Sequence, residues 1–355
     1  MTAPPSAVPA LAADVIAEFQ QSLPKLFVFV GDKFLLDNRF HGPGFCGHAE
    51  TIAAFNRRFG FVLLDVYRFG LYDRLRAAFP GEVAALTGRG IPHRAVVALL
   101  RSWIIGMECL LKRPTAAQLV PALELLCTDA QTFSDQPAAV VPELDGQARG
   151  FFDLLAAKNR KFAAEYILSR IREGRTIEDV YRMILLPALE RTRTLWRTAG
   201  MSAADARTAE DICRYVMFRV VDGVFGERRY PFKALVACMQ GEEDVLDAEV
   251  LANFLEIKGW SVSFLGHDAS DEDILRAVES GNPQALVLSV ATLGRLLAAW
   301  DLAGTVRQRF PQVRTGVAGA AVLYARAAFA PQADCIIEGF EQGHAALLAL
   351  VIGHA

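Results

Sequence analysis

After Arg229 the chain alternates short apolar runs with amphipathic stretches, and that alternation restricts the fold more than any other feature. Apolar runs at 234–239, 260–265, 285–290, 314–318 and 334–338 are followed by helical patterns at 247–258, 271–279, 295–309, 320–329 and 341–352. Strands that each lead into a helix cannot pair as hairpins. The helices must cross back over the sheet, which makes neighbouring strands parallel and covers both faces. Gly259 and Gly281 stand where helix C-caps are wanted, and Ser270 with Asp273 has the spacing of an N-cap pair. The expectation for 229–355 is a doubly wound parallel sheet of five strands.

Upstream the period is helical throughout. Phe61, Leu64, Tyr67, Leu71, Leu75 and Phe79 follow a three-to-four step, as do Val96, Leu99, Trp103, Met107 and Leu110. This predicts an all-helical domain at 26–128, sensor-like and similar to a globin in helix count and length, behind a flexible tail at 1–25. The stretch 129–150 loses periodicity and gains Pro, Asp and Gln, and reads as a linker. A second helical block, 151–228, contains Thr176 with Asp179 and Ser202 with Asp205 as helix starts, and Pro187 as an expected kink. It predicts a small bundle of the four-helix type.

Apolar residues make up 53% of the 355 residues and charged residues 22%, which excludes an intrinsically disordered chain. A formal charge of −3 gives no global attraction for nucleic acid, and neither a helix-turn-helix nor a zinc module is present. Nothing reads as a membrane span or an export signal. The six cysteines form no C-x-x-C pair and read as reduced thiols of a cytoplasmic protein.

In such a sheet a ligand sits beyond the carboxyl ends of the strands. The first of those loops is Gly241-Glu242-Glu243-Asp244-Val245-Leu246-Asp247. It lacks a Walker Lys and a G-x-G-x-x-G, so it is no phosphate cradle. Its carboxylates could hold a divalent metal, or could simply favour the amino end of the following helix.

Several strings in this region carry a resemblance: Gly241 with its acidic turn, Leu265-Gly266, Leu288-Ser289-Val290-Ala291-Thr292 and Val317-Ala318-Gly319. With the order of elements, they make 151–350 resemble the helical cap and Rossmann-like, flavodoxin-like domain of cobalamin-binding proteins. These include corrinoid methyltransferases, B12 photoreceptors and regulators of photosynthesis that bind cobalamin or haem. The resemblance implies a macrocycle between cap and sheet.

The departures restrict what the resemblance implies. The family's first loop is D-x-H-x-x-G, with the His as lower axial ligand of cobalt. Here Glu242 stands at the Asp position, Asp244 at the His position and Asp247 at the Gly position. Photoreceptors of this family carry a cap Trp followed ten and eleven residues later by Glu-His. Trp196 matches the Trp, but Ala206 and Arg207 follow. Both protein-derived axial groups are absent, which argues against methyl transfer and against standard B12 photochemistry.

By the same resemblance, Ser289 and Thr292 match hydroxyls that contact the nucleotide tail, with strand-end capping as the alternative reading. Gly319 matches the second glycine of a pair that admits the tail. Gly266 and His267 lie at the expected mouth, where His267 could bind haem iron or a corrin side chain. Arg207 could pair with a ligand carboxylate, or with Asp244 or Asp247 to close the site. Arg191, Arg193 and Arg197 read as a solvated helix face. In the amino-terminal domain Cys46 and His48 stand in a Gly/Pro turn where a bilin or metal could attach, or which could be structural only.

The sequence points to a non-enzymatic sensory or regulatory protein, light- or redox-responsive. Its ligand is a tetrapyrrole: cobalamin without a protein His, haem or biliverdin. The rivals are a cofactor-free scaffold partnering a cobalamin-binding homologue and a corrinoid-dependent enzyme subunit. Expected partners are a second copy, as a dimer, or another regulator of transcription.

Overall fold

The structure is a computed structural model that describes residues 9–38, 48–130, 141–198, 200–224, 230–242 and 244–353. They form two compact units. One comprises residues up to position 138 together with the loop Leu293–Leu297, and the other comprises 139–292 and 298–355. Bundle and sheet therefore share one unit, where the sequence suggested separate domains.

The first unit holds helices α1 (Ala13–Asn38), α2 (Ala49–Phe69), α3 (Tyr72–Gly88), α4 (His93–Leu110) and α5 (Arg113–Ala130). The expected tail to residue 25 is corrected from position 13 onward. Val15, Ile16, Phe19 and Leu23 recur at helical spacing and are buried, so that segment is the start of α1. The apolar run from Phe61 to Phe79 is also not one helix. Gly70 takes φ +67 and its N–H returns to the Val66 carbonyl, a left-handed C-cap that ends α2. Apolar spacing continues across this break because α2 and α3 face the same core, centred on the fully buried Trp103.

Asp65 lies inside the buried face of α2 and is 1% exposed. Its carboxylate accepts the N–H groups of Gly294 (2.6 Å), Leu296 (2.9 Å) and Leu297 (2.9 Å). It thus satisfies three backbone N–H groups of the 293–297 segment of the same unit. Burial pushes its carboxyl up to about 6, against the pull of those three N–H groups.

The second unit begins with α6 (Gly146–Ala156), α7 (Arg160–Arg172), α8 (Ile177–Val180), α9 (Leu186–Arg197) and α10 (Ala203–Val224). Thr176 and Ser202 accept the N–H of Asp179 and Asp205, both at 3.1 Å, as their spacing predicts. Pro187 does not break its helix. A π-helical turn, Tyr181–Leu185, joins α8 to α9 just before it and absorbs the missing N–H. The expected linker 129–150 is described only outside 131–140. Of the rest, 129–130 close α5 and 146–150 open α6.

The sheet then follows. Strands β1 (Lys233–Cys238), β2 (Ser261–Phe264), β3 (Ala285–Ser289), β4 (Arg314–Ala318) and β5 (Cys335–Ile337) are all parallel, in the order β2-β1-β3-β4-β5. This is the doubly wound, flavodoxin-like arrangement expected from the alternation. Helices α11 (Leu246–Ile257), α12 (Asp271–Gly281), α13 (Leu296–Arg309), α14 (Ala320–Tyr324), α15 (Arg326–Phe329) and α16 (Phe340–Ile352) cross between them. Ser270 and Asp273 form a reciprocal capping box on α12, but its left-handed cap is Asn282 (φ +43), one residue beyond Gly281. Bundle and sheet bury a continuous core in which Tyr181, Ile212 and Val216 join Leu251, Phe254 and Val287. No described helix is long and apolar enough to cross a membrane.

Candidate functional site

The sheet order reverses between β1 and β3, so the loops after these strands define the place where a ligand of this fold would sit. Backbone bonds tie the neighbouring loops together. Cys238 donates to the Gly266 carbonyl (3.0 Å), Met239 to the Ser289 carbonyl (3.2 Å) and Gly241 to the His267 carbonyl (2.9 Å).

Glu242 leaves β1 pointing inward and is 1% exposed. One carboxylate oxygen accepts the N–H of Ala291 (3.0 Å) and of Thr292 (3.1 Å). The other accepts the Thr292 hydroxyl (2.9 Å) and the Asp244 N–H (3.3 Å). The orphan donors at the end of β3 are therefore satisfied from within the chain. Ser289 is buried beside them.

Gly319 closes the adjacent slot. It sits at φ +104, and a Cβ placed there would lie 2.2 Å from the Val290 carbonyl oxygen. Val290 in turn donates to the Ala318 carbonyl at 2.8 Å. The two strand ends are in direct backbone contact.

The outer carboxylates turn toward the bundle. Arg193 of α9 reaches Asp244 at 2.5 Å and Asp247 at 3.3 Å, with Glu190 behind it at 3.7 Å. Arg197, one turn on, approaches Asp244 at 3.5 Å. Burial pushes the Asp244 carboxyl up to about 6, against the attraction of Arg193. The same burial opposes the Arg193 charge, but Asp247 and Asp244 outweigh it and hold the guanidinium above its ordinary value. Further along α11, Glu249 pairs with Arg214 of α10 at 2.8 Å. Burial nevertheless raises the Glu249 carboxyl.

This geometry corrects one assignment. The partner of Asp244 and Asp247 is Arg193, whereas Arg207 is exposed on α10. Positions 193 and 197 share the face of α9 that meets the loop after β1. Their i,i+4 spacing was visible, but which bundle helix faces the loop is a tertiary fact. Arg191, grouped with them, instead donates to the Pro142 carbonyl at 2.5 Å.

Trp196 is half-buried on α9. Gly266 takes φ +63 in the turn after β2, and half-exposed His267 lies 3.4 Å from Asp268. Cys46 lies outside the described residues, and His48 stands just before α2 with its imidazole against Gly90. Asp65 was missed altogether; its one sequence signal is a carboxylate at a core position of α2.

A divalent cation needs carboxylates that converge, and here they diverge, Glu242 inward and Asp244 with Asp247 onto Arg193. No described group of three or more His, Cys, Asp or Glu residues is placed to hold a metal ion. Cobalt ligation by a histidine of the first loop does not fit either. The position holds a carboxylate, and that carboxylate is already paired.

Residues 232–350 match the family described as B12 binding domain. No curated protein matches the chain. Among solved structures, a Methanosarcina barkeri monomethylamine corrinoid protein is 16% identical, over 57% of this chain and 96% of its own, with a TM-score of 0.48. A cobalamin-binding protein from Desulfitobacterium hafniense DCB-2 is 13% identical over 57% and 98%, with a TM-score of 0.30. The methanol:cobalamin methyltransferase complex MtaBC of Methanosarcina barkeri is 13% identical over 70% and 92%, with a TM-score of 0.33.

Proposed function

Residues 232–350 belong to the B12 binding domain family, and from that premise we propose that the chain is a non-enzymatic regulatory protein whose ligand mouth is closed by its own side chains. The observation that carries this reading is the occupation of the mouth. Glu242 takes the donors at the end of β3, and Arg193 takes Asp244 and Asp247. On this fold the first loop could contribute an axial ligand to a cofactor's metal, the rest of the chemistry being the cofactor's own. The carboxylates of its described residues are already paired or hydrogen-bonded, and the loop holds no imidazole. What it supplies is a charged contact between bundle and sheet, the kind of contact a regulator can bias.

A second reading is supported by the family match itself: a corrinoid enters by displacing Arg193 and Glu242 and is held without a protein imidazole. One measurement separates the two. The purified chain is incubated with hydroxocobalamin and desalted, and its absorption spectrum is recorded. The closed reading expects a colourless protein. A retained corrinoid band overturns it in favour of the second. The double substitution Asp244→His with Asp247→Gly, carried through the same steps, is expected to gain a band if only the ligand set was lost.

A further inference from the structure

The first unit carries a cleft of about 430 Å³, formed by the last turn of α1 and the first half of α4. Asp37 lines it from α1, and His93, Arg94, Val97, Ala98 and Arg101 line it from α4. Its charge is one-sided. Asp37, the carboxylate among these residues, is held by Lys33 one turn back at 2.8 Å. Arg94 and Arg101 are exposed, and neither makes a hydrogen bond or ion pair with a described residue. Arg58 and Arg76 of the same unit, by contrast, pair with Glu82 and Asp129.

The helix brings these groups together. Arg94 and Arg101 stand two turns apart on α4, with about 10 Å between their backbones. Long helical side chains lean toward the amino end, which carries the Arg101 guanidinium back over the turn of Val97 and Ala98. Those two small apolar residues make a floor with a basic group at each end. His93 stands beside Arg94, and its Nε2 is buried with no hydrogen-bond partner. A buried ring nitrogen left without a partner is uncommon. Electrostatics weigh in the same direction. The first turn of α4 has no carboxylate, and Pro92 at its N-cap gives no side-chain acceptor. Arg94 adds its charge to the positive end of the helix, where a cation is disfavoured until an anion joins it.

Two arginine forks and an imidazole N–H offer more donors than the two oxygens of a carboxylate accept. A phosphate monoester brings three terminal oxygens and nearly two negative charges. The cleft is also roomier than a bare phosphate needs and falls within the range of small-molecule sites, about 300–1,000 Å³. We propose that this cleft binds a small organic phosphate: Arg94 and Arg101 grip phosphate oxygens, His93 donates to another, and Val97 and Ala98 lie against the organic part. The site belongs to the first unit alone and does not depend on whether the mouth after β1 is closed.

Titration calorimetry on the full chain tests it, in a phosphate-free buffer of low ionic strength so that charge contacts are not screened. The probes are inorganic phosphate, ribose 5-phosphate, AMP and acetate. Ribose 5-phosphate or AMP should give saturable one-site heat with a Kd below about 1 mM, inorganic phosphate should bind more weakly, and acetate more weakly still. The double variant Arg94→Gln with Arg101→Gln should weaken binding about tenfold or more. Both residues are exposed and unpaired, so this variant should melt as wild type does. His93→Phe keeps a ring and removes Nε2, and should weaken binding severalfold; unchanged affinity there removes His93 from the site. Arg113→Gln, exposed at the start of α5, should change nothing. The proposal falls if no phosphate gives saturable heat up to about 10 mM. It falls equally if the double variant binds as wild type does, or if Arg113→Gln loses as much. Inorganic phosphate binding as tightly as both organic probes overturns the organic part, and acetate binding as tightly overturns the phosphate.

Discussion

Arg193 and Asp244 stand 2.5 Å apart at the amino end of α11, one from the helical bundle and one from the loop after β1. Their pair is a charge contact between bundle and loop, and its titration has a sign that can be worked out.

Burial raises the Asp244 carboxyl from its ordinary range to about 6 in the folded chain. The folded state thus holds this proton more tightly than the unfolded state. Its contribution is most favourable below the unfolded pKa and is lost as pH rises toward 6, the reverse of an ordinary salt-bridged aspartate. The shift sets an upper limit of about 3 kcal/mol on that loss. Asp65, Glu249 and Glu210 are raised by burial and act in the same direction. Urea unfolding of wild type and Asp244→Asn between pH 4.5 and 8 should show a falling stability in both. The slope should be shallower in the variant, and parallel curves would remove Asp244 from this role.

Asp65 gives the second prediction. Its carboxylate satisfies three backbone N–H groups in the 293–297 segment. Asp65→Ala leaves all three without an acceptor and should cost about 2–4 kcal/mol in urea unfolding. Asp65→Asn keeps one acceptor oxygen and should cost less. Equal losses in the two variants would mean that packing, not hydrogen bonding, is what the residue supplies.

The α/β half could be read from the sequence because each element there carries its own local signal. Strand runs end within a residue or two of their observed limits, and the capping residues Ser270 and Asp273 do what their spacing implies. The helical unit was harder for a physical reason. Apolar periodicity records which face is buried and does not register a break such as Gly70, where two helices bury the same face in succession. Glu242, Asp244 and Asp247 could be named by their chemistry, but their partners could not. Arg193 meets its carboxylates only after two elements pack, and the donors to Asp65 lie more than two hundred residues along the chain.

Glu242 supports the third prediction. Three of its four bonds come from Ala291 and Thr292. Glu242→Gln places an amide nitrogen where one oxygen now accepts, so at least one buried N–H loses its partner. A loss of about 1–3 kcal/mol is expected. It should be accompanied by faster hydrogen exchange at 290–292, while Trp260 and the β2 edge stay unchanged. Wild-type exchange at 290–292 would show that these donors do not depend on Glu242.

The contact between the ends of β3 and β4 can be tested through two glycines that look alike in sequence and differ in surroundings. Gly319 has φ +104, and a Cβ there would meet the Val290 carbonyl oxygen at 2.2 Å and the Val290 carbonyl carbon at 2.4 Å. Both are backbone atoms of a buried strand end and cannot turn aside as a flexible side chain would. Gly339 begins α16 with φ −168, an extended conformation open to any residue, and nothing lies within 4 Å of its Cβ position. Gly319→Ala therefore combines left-handed strain with a main-chain collision and should cost more than about 3 kcal/mol, enough to threaten folding of the sheet. Gly339→Ala should stay within about 0.5 kcal/mol of wild type. Thermal unfolding followed by circular dichroism compares them directly. If Gly319→Ala melts with wild type, the strand ends part readily, and the slot beside Gly319 is open to a ligand after all.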